Sequence, residues 1–289
     1  MPFFSIIIPT YNREKTIIRA INSVLQQSFT DFEIIVVDDG SDDATKEVVS
    51  SLYDNRIHYY YQANQGVCAA RNYGASLASG DYLVFLDSDD YVTTNWLEDF
   101  NKITLFNNSD LVFCDMLRVD SVSGIEKLVR ATYPYRDNRF SDYGLFMPGT
   151  FCVRPVFFKA IGGFDVTIKY GEFTEFGFKT FLKKPTKNFT NKLGVVYEAS
   201  IDGGSKNLQN KIFSNLYIID KHRWYFDENP HALRFYYQNI GVAHYKLLNT
   251  HMARLYLWKA FLVQPLKVIT FFRLLTTFLP YSIIIKLKK

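Results

Sequence analysis

A chain of 289 residues with 48% hydrophobic content can bury one large core or two modest ones and is not a disordered polypeptide. The net charge of +4 is too mild to mark a nucleic-acid surface, so no nucleic-acid partner is expected. Three scattered cysteines, Cys68, Cys114 and Cys152, argue against a disulfide framework and fit a reducing compartment.

The sequence opens directly in an apolar run with no basic n-region before it, so a secretory leader is not expected. A strand over 3–8 runs into Pro9-Thr10-Tyr11-Asn12, where proline halts ladder pairing and the polar residues cap a helix over 13–26. That helix gathers Ile17, Ile21, Val24 and Leu25 on one face. A second strand over 33–37 ends in Asp38-Asp39-Gly40-Ser41 and is followed by a helix over 44–52. A short strand over 57–61 and a loop leading into a helix over 64–78 come next, and then the apolar run from Tyr82 stops at Asp87-Ser88-Asp89-Asp90. Beyond it the pattern predicts a helix over 96–106, a strand over 110–118 and an irregular, tyrosine-rich, acceptor-facing loop over 119–146. A strand over 151–153, a short helix ending at Gly162-Gly163 and an acidic helix near Glu172 follow, and three- and four-residue apolar spacing makes 206–264 helical.

Apolar strands that end in carboxylates need a physical reason. Three carboxylates within positions 87–90 repel one another and are costly to desolvate. A hard divalent cation carrying phosphate oxygens answers both costs; the alternative is a solvated acidic turn that caps the next helix. In open α/β sheets ligands bind outside the carboxyl ends of the strands, so Asp38-Asp39 and the 87–90 cluster are expected to open onto one crevice.

The ordered set Ser5-Ile6-Ile7-Ile8-Pro9-Thr10-Tyr11-Asn12, Val36-Val37-Asp38-Asp39-Gly40-Ser41, Asn64-Gln65-Gly66, Ala70-Arg71-Asn72 and Phe85-Leu86-Asp87-Ser88-Asp89-Asp90 resembles the amino-terminal half of family 2 glycosyltransferases. The resemblance continues through Gly162-Gly163-Phe164-Asp165 to the acidic helix and fades near residue 205. It implies an α/β fold of the Rossmann-like GT-A type, a mixed central sheet flanked by helices. Residues 1–205 would form that domain, 1–100 as its nucleotide-binding half and 101–205 as its acceptor half, with 206–289 a helical C-terminal extension. The resemblance further implies inverting transfer from a nucleoside-diphosphate sugar, a UDP-sugar favoured, to a hydroxyl of a glycan or lipid-linked acceptor in cell-surface polysaccharide synthesis. Mn2+ or Mg2+ would be the cofactor.

Carried over residue by residue, the resemblance implies that Asp89 ligates the metal. Asp87 would share that role or lie near the ribose or donor sugar, with Ser88 on the donor side and Asp90 supporting the cluster. Asp39 would accept from a base N–H, with Asp38 beside it as a nucleotide contact or a structural carboxylate, and Pro9, Thr10 and Tyr11 would wall the base. Arg71 is a candidate for the diphosphate through its planar fork, or alternatively a salt bridge to the 87–90 carboxylates. Asp165 would shape the turn and the acceptor side. Relatives commonly start the acidic helix with Glu-Asp, one acid being the base for the acceptor hydroxyl, whereas Gly171-Glu172-Phe173-Thr174-Glu175 places phenylalanine where aspartate is common. Glu172 and Glu175, three apart on one helix face, are the candidate bases, with Glu172 favoured; the alternative makes both helix-start charges favoured by the dipole. Phe173 keeps open a catalytically silent, nucleotide-binding or scaffold subunit. Ser205 and Lys206 are candidates to close over the diphosphate, with a plain turn as the alternative.

From Lys259 to the end the chain is rich in aromatic and aliphatic residues, carries spaced Lys and Arg, and has no acid. Its longest uncharged run, 274–285, has 12 residues and contains Pro280, short of the ~20 that span a bilayer. An interfacial segment meeting anionic lipid is therefore expected, which would place the protein peripherally on the cytoplasmic face of the cell membrane. Packing on the catalytic domain and a dimer contact are the alternatives.

Overall fold

In the computed structural model, which describes residues 1–131, 146–199, 207–265 and 268–278, strand β1 (Phe4–Thr10) is buried along its whole length. Such a strand must be covered on both faces and flanked on both edges. It pairs in parallel with β2 (Phe32–Asp38) and β4 (Tyr82–Phe85), and β2 pairs in parallel with β3 (Ile57–Tyr61). Helices α1 (Ile17–Leu25), α2 (Thr45–Ser50) and α3 (Val67–Leu77) lie between these strands in the chain. After β5 (Tyr91–Val92) and α4 (Trp96–Asn107) come β6 (Leu111–Asp120), β7 (Glu126–Val129), β8 (Phe151–Val153), α5 (Pro155–Ala160), α6 (Glu172–Lys183) and β9 (Lys187–Ala199). The sheet runs β3-β2-β1-β4-β8-β6-β9-β5, with β7 paired to β6. It is mixed, as expected, because β8 runs antiparallel to both β4 and β6 while β9 runs parallel to β6.

Side-chain alternation divides the core between the two faces. Ile6, Ile8, Ile34, Val36 and Val84 pack with Ile17, Ile21 and Val24 of α1 on one side. Ile7, Ile35, Val37, Leu83 and Phe85 pack on the other with Cys68 and Ala70 of α3 and with Phe158, Phe164, Phe173 and Phe176. Gly74 permits this second layer: a Cβ there would meet Ile7 Cγ2 at 2.6 Å, so any larger residue would push α3 off the sheet.

Pro9 does not end β1 as its position suggests, because the strand continues in register with β2 through Thr10 opposite Asp38. Ile7 O accepts from Leu86 N, so Ile7 and, two residues on, Pro9 face β4, whose pairing has already ended at Ile7 opposite Phe85. The missing N–H of proline therefore falls where no ladder bond is due.

Two further departures concern the second half. The stretch expected to be irregular from 119 contains the end of β6 and all of β7, joined by a turn in which Asp120 Oδ1 accepts from Val122 N, Ser123 N and Ser123 Oγ. Residues 132–145 of that expected loop lie outside the described residues, as do Ser205 and Lys206. Strand β9 is not foreseen in the sequence pattern, yet it joins β6 to β5 and brings Tyr197 and Glu198 beside the acidic turn.

The described residues fall into two compact units, one within Met1–Val166 and Glu172–Ile201 and the other within Thr167–Gly171 and Asp202–Lys289. The second unit is helical, with α7 (Leu208–Lys221), α8 (Arg223–Glu228), α9 (Pro230–Lys246), α10 (Thr250–Val263) and α11 (Val268–Thr276).

Candidate active site

Parallel registry brings the ends of β1, β2 and β4 to one rim, since Thr10 lies opposite Asp38 and Ile7 opposite Phe85. The loops after the first two strands are laced together: Asn12 N donates to Ser41 Oγ at 2.8 Å and Asp42 N donates to Asn12 Oδ1 at 3.0 Å. Asn12 adopts φ +53°, a left-handed conformation that asparagine tolerates.

At that rim the paired aspartates turn in different directions. Asp38 is buried, and its two oxygens accept from Ser41 N at 2.8 Å and Tyr59 Oη at 2.6 Å, so its carboxylate organises the loop. Asp39 Oδ1 accepts from Gln62 Nε2 at 2.7 Å and Gln65 N at 2.8 Å, and Oδ2 from Gly66 N at 2.8 Å. One acceptor direction remains on Oδ2, so Asp39 can both hold the 62–66 loop and take one N–H from a bound base. Tyr11 is exposed, Pro9 is buried, and Thr10 Oγ1 is buried without a partner among the described residues.

The acidic turn after β4 is a cluster in space as well as in sequence. Carboxylate oxygens of Asp87, Asp89 and Asp90 lie within 4.8 Å of one another. Asp90 is almost fully buried; its Oδ1 accepts from Glu198 N at 3.3 Å, and its Oδ2 has no partner among the described residues. Burial, and then the charges of Asp87 and Asp89, push the Asp90 carboxyl well above the usual carboxylate range. Asp87 is raised by the same burial and by Asp89, against the opposing pull of Arg71. Two arginines on the α1 side partly compensate the turn: Arg19 Nη2 donates to Asp89 O at 2.6 Å, and Arg13 Nη2 stands 3.9 Å from Asp89 Oδ2. Ser88, between Asp87 and Asp89, is buried.

Arg71 is the joint of the site. The residue is only 1% exposed, and its guanidinium donates through Nη2 to Asp87 Oδ1 at 2.7 Å and through Nη1 to Glu172 Oε1 at 3.0 Å and lies 4.5 Å from the Phe173 ring centroid. Of the two readings left open for Arg71, ion pairing to the acidic turn is the one made in this structure, and it reaches Glu172 as well. The two flanking carboxylates hold the Arg71 charge firmly in place against burial.

Glu172 and Glu175 part company here. Glu172 opens α6 with its side chain partly exposed, as the helix dipole favours. Glu175 is fully buried and pairs with Lys179 Nζ at 3.3 Å. Phe173 is core, packed on Phe164 at 5.2 Å between ring centroids. Asp165 is partly buried in the turn after Gly163-Phe164. That turn is clamped by Asn72, whose Nδ2 donates to Phe164 O at 2.7 Å and whose Oδ1 accepts from Phe164 N at 2.9 Å. Gly163, at φ +58°, leaves room for the clamp, since a Cβ there would lie 2.6 Å from Asn72 Oδ1.

Sequence reasoning gives no role to Arg13, Arg19, Asn72 or Glu198. Arg13 directly follows the quoted Pro9-Thr10-Tyr11-Asn12 and Asn72 belongs to the quoted Ala70-Arg71-Asn72, which is a usable signal, whereas Glu198 lies on the unforeseen β9.

The sequence pattern of the family described as Glycosyl transferase family 2 matches residues 5–162. An uncharacterized glycosyltransferase of Rickettsia typhi is 34% identical over 66% of this chain and 62% of its own length. EpsJ of Bacillus subtilis, also described as an uncharacterized glycosyltransferase, is 38% identical over 42% of this chain and 36% of its own length. The chain thus spans less than two thirds of the length of these relatives. Among solved structures, S. aureus TarS residues 1–349 in complex with UDP-GlcNAc superposes with a TM-score of 0.64 and 21% identity, over 90% of this chain and 81% of that one.

Proposed function

The chain belongs to glycosyl transferase family 2 and has the GT-A fold, and from that footing we propose that it transfers a sugar, with inversion, from a UDP-sugar to a hydroxyl of a glycan or lipid-linked acceptor in cell-surface polysaccharide synthesis. The observation that carries this reading is the Arg71 bridge, which couples the acidic turn after β4 to Glu172 through one buried guanidinium.

The residues fit a divalent cation. Three carboxylates converge, one buried oxygen of Asp90 lacks a partner among the described residues, and an all-oxygen hard donor set suits Mn2+ or Mg2+. Asp89, with Asp87 beside it, would hold the ion, whose Lewis acidity would stabilise charge on the leaving diphosphate. Asp39 and the 62–66 loop would seat the base, with the Tyr11 ring against it. Glu172 Oε1 is taken by Arg71, which would leave Oε2 for the acceptor hydroxyl. Glu172 would receive the proton of the acceptor hydroxyl as that oxygen bonds to the anomeric carbon; the bond from that carbon to the diphosphate oxygen breaks, and its electron pair departs with the nucleotide.

A second reading is favoured by Phe173, buried where relatives commonly carry an acid: a silent subunit that binds nucleotide without transfer. Glu172→Gln separates the two. It keeps the Arg71 contact geometry and should leave UDP binding within about twofold while lowering UDP release from the donor by roughly 10²–10⁴-fold, the usual worth of a general base. Wild-type protein that binds UDP yet releases none from any UDP-sugar, with acceptor saccharides present, would support the silent reading instead.

A further inference from the structure

Helix α11 is built inside out. Thr270 and Leu274 of the helix and Thr277 just after it are buried, whereas Val268, Ile269, Phe271, Phe272, Leu275 and, beyond the helix, Phe278 are exposed. Beside Leu274, hydrogen bonds tie this side of the segment: Arg234 Nη1 donates to Thr270 Oγ1 at 3.3 Å, Tyr245 Oη to Thr276 O at 3.1 Å, and Arg254 Nη2 to Thr277 O at 3.1 Å. A helix adapted to water on its outer face shows the reverse arrangement, with apolar residues packed and polar residues out. Helix α10 continues the apolar surface through Leu255, Trp258 and Leu262. Ring contacts of 5.5, 5.9 and 6.3 Å join Trp258, Phe261, Phe271 and Phe272 into one aromatic row across the two helices. Phe272 is 59% exposed and Phe278 63%, so this is an apolar patch of the kind that marks a docking surface.

We propose that the outward face of α10 and α11 docks into the interfacial region of an anionic lipid bilayer. Charge decides between lipid and a second copy of the chain. The exposed cations of these two helices are Lys259 and Arg273, and residues 229–289 contain no Asp or Glu to pair with them, so packing this face on itself would set cation against cation, whereas acidic headgroups complement it. Exposed Arg273, between Phe272 and Leu274 on α11, and Lys259, next to Trp258, place cations where headgroups would lie. Among the described residues no helix is long and apolar enough to cross a membrane, so the face lies in the surface plane rather than spanning it.

The test is flotation of the full chain with vesicles of phosphatidylcholine, alone or with one third phosphatidylglycerol, in the absence of nucleotide. Wild type should float with the anionic vesicles, and Trp fluorescence should shift to the blue. The bound fraction should fall by roughly tenfold or more in Ile269→Glu/Phe272→Glu, whose sites are solvent-facing so that melting is unchanged, and the partition constant by about fivefold in Arg273→Gln. Wild type that stays with the buffer, or a double variant that floats like wild type, would overturn the proposal. So would a lipid-free dimer, seen by light scattering, that the double variant converts to monomer, since a second copy would then cover the face. Because no donor is present, failure here leaves the transferase reading untouched.

Discussion

Asp89→Ala is expected to lower donor turnover by on the order of a thousandfold while leaving the protein as stable as wild type or slightly more so, the loss being that of a principal electrostatic stabiliser of the leaving group. The two effects have opposite signs for one reason. In the ion-free protein Asp89 adds like charge to Asp87 and the buried Asp90, and among the described residues its carboxylate pairs with Arg13, which is 3.9 Å away and partly exposed and so makes a weak pair. Removing the carboxylate relieves repulsion. In the proposed reaction the same carboxylate would hold the cation that neutralises the diphosphate. Steady-state release of UDP, read beside thermal melting with and without Mn2+, checks both. An alanine variant that melts well below wild type would mean that Asp89 holds the fold, and one that keeps full turnover would remove it from the donor site.

Arg71→Met is expected to cost about 2–3 kcal/mol of stability, less than the full cost of breaking a buried pair because Asp87 and Glu172 keep some solvent access. For a protein of this size that is a fall in Tm of roughly 5–10 °C. Methionine fills much of the volume against Phe164 and Phe173 but leaves two carboxylates without their shared cation. Arg71→Lys should fall between the two, since a point charge cannot serve both carboxylates with a planar fork. The kinetic signature separates bridge from phosphate contact. Loss of the bridge frees Glu172 and lowers kcat, whereas loss of a phosphate contact would raise KM for the donor with Tm unchanged. The latter pattern would show that Arg71 turns to the diphosphate when nucleotide binds.

The strand ends were legible in the sequence because buried parallel strands are nearly continuous apolar runs, and a carboxylate at the end of such a run stands out. Thus β1, β2, β3 and β4 and the crevice they share follow from pattern alone. Strand β9 did not stand out, since Lys187–Ala199 mixes lysine, asparagine and glycine with its apolar residues and draws its place from pairing with β6 and β5. The partners of Arg71 were open for a different reason: a guanidinium fork fits phosphate and carboxylate alike, and only its burial between Asp87 and Glu172 shows which it meets here. Glu172 and Glu175 share a helix face by spacing, but one lies at the rim and the other against Lys179, a distinction set by how α6 packs on Phe151 and Phe164. Phe173 is explained by the same packing, because an acid at that position would be buried among aromatic rings beneath Arg71.

The central claim is that the acidic rim binds a nucleoside diphosphate through a divalent cation, and the most direct test is a thermal-shift series of the purified protein with UDP, GDP, dTDP and CMP, each with Mn2+, Mg2+ or EDTA. Selective binding at about a hundredfold excess over Kd adds about 2.7 kcal/mol, a rise of roughly 5–10 °C. The account predicts that rise for UDP with Mn2+ or Mg2+, and its loss in EDTA and in Asp89→Ala. A folded sample that shifts with none of the nucleotides, or shifts equally with and without EDTA, would contradict it.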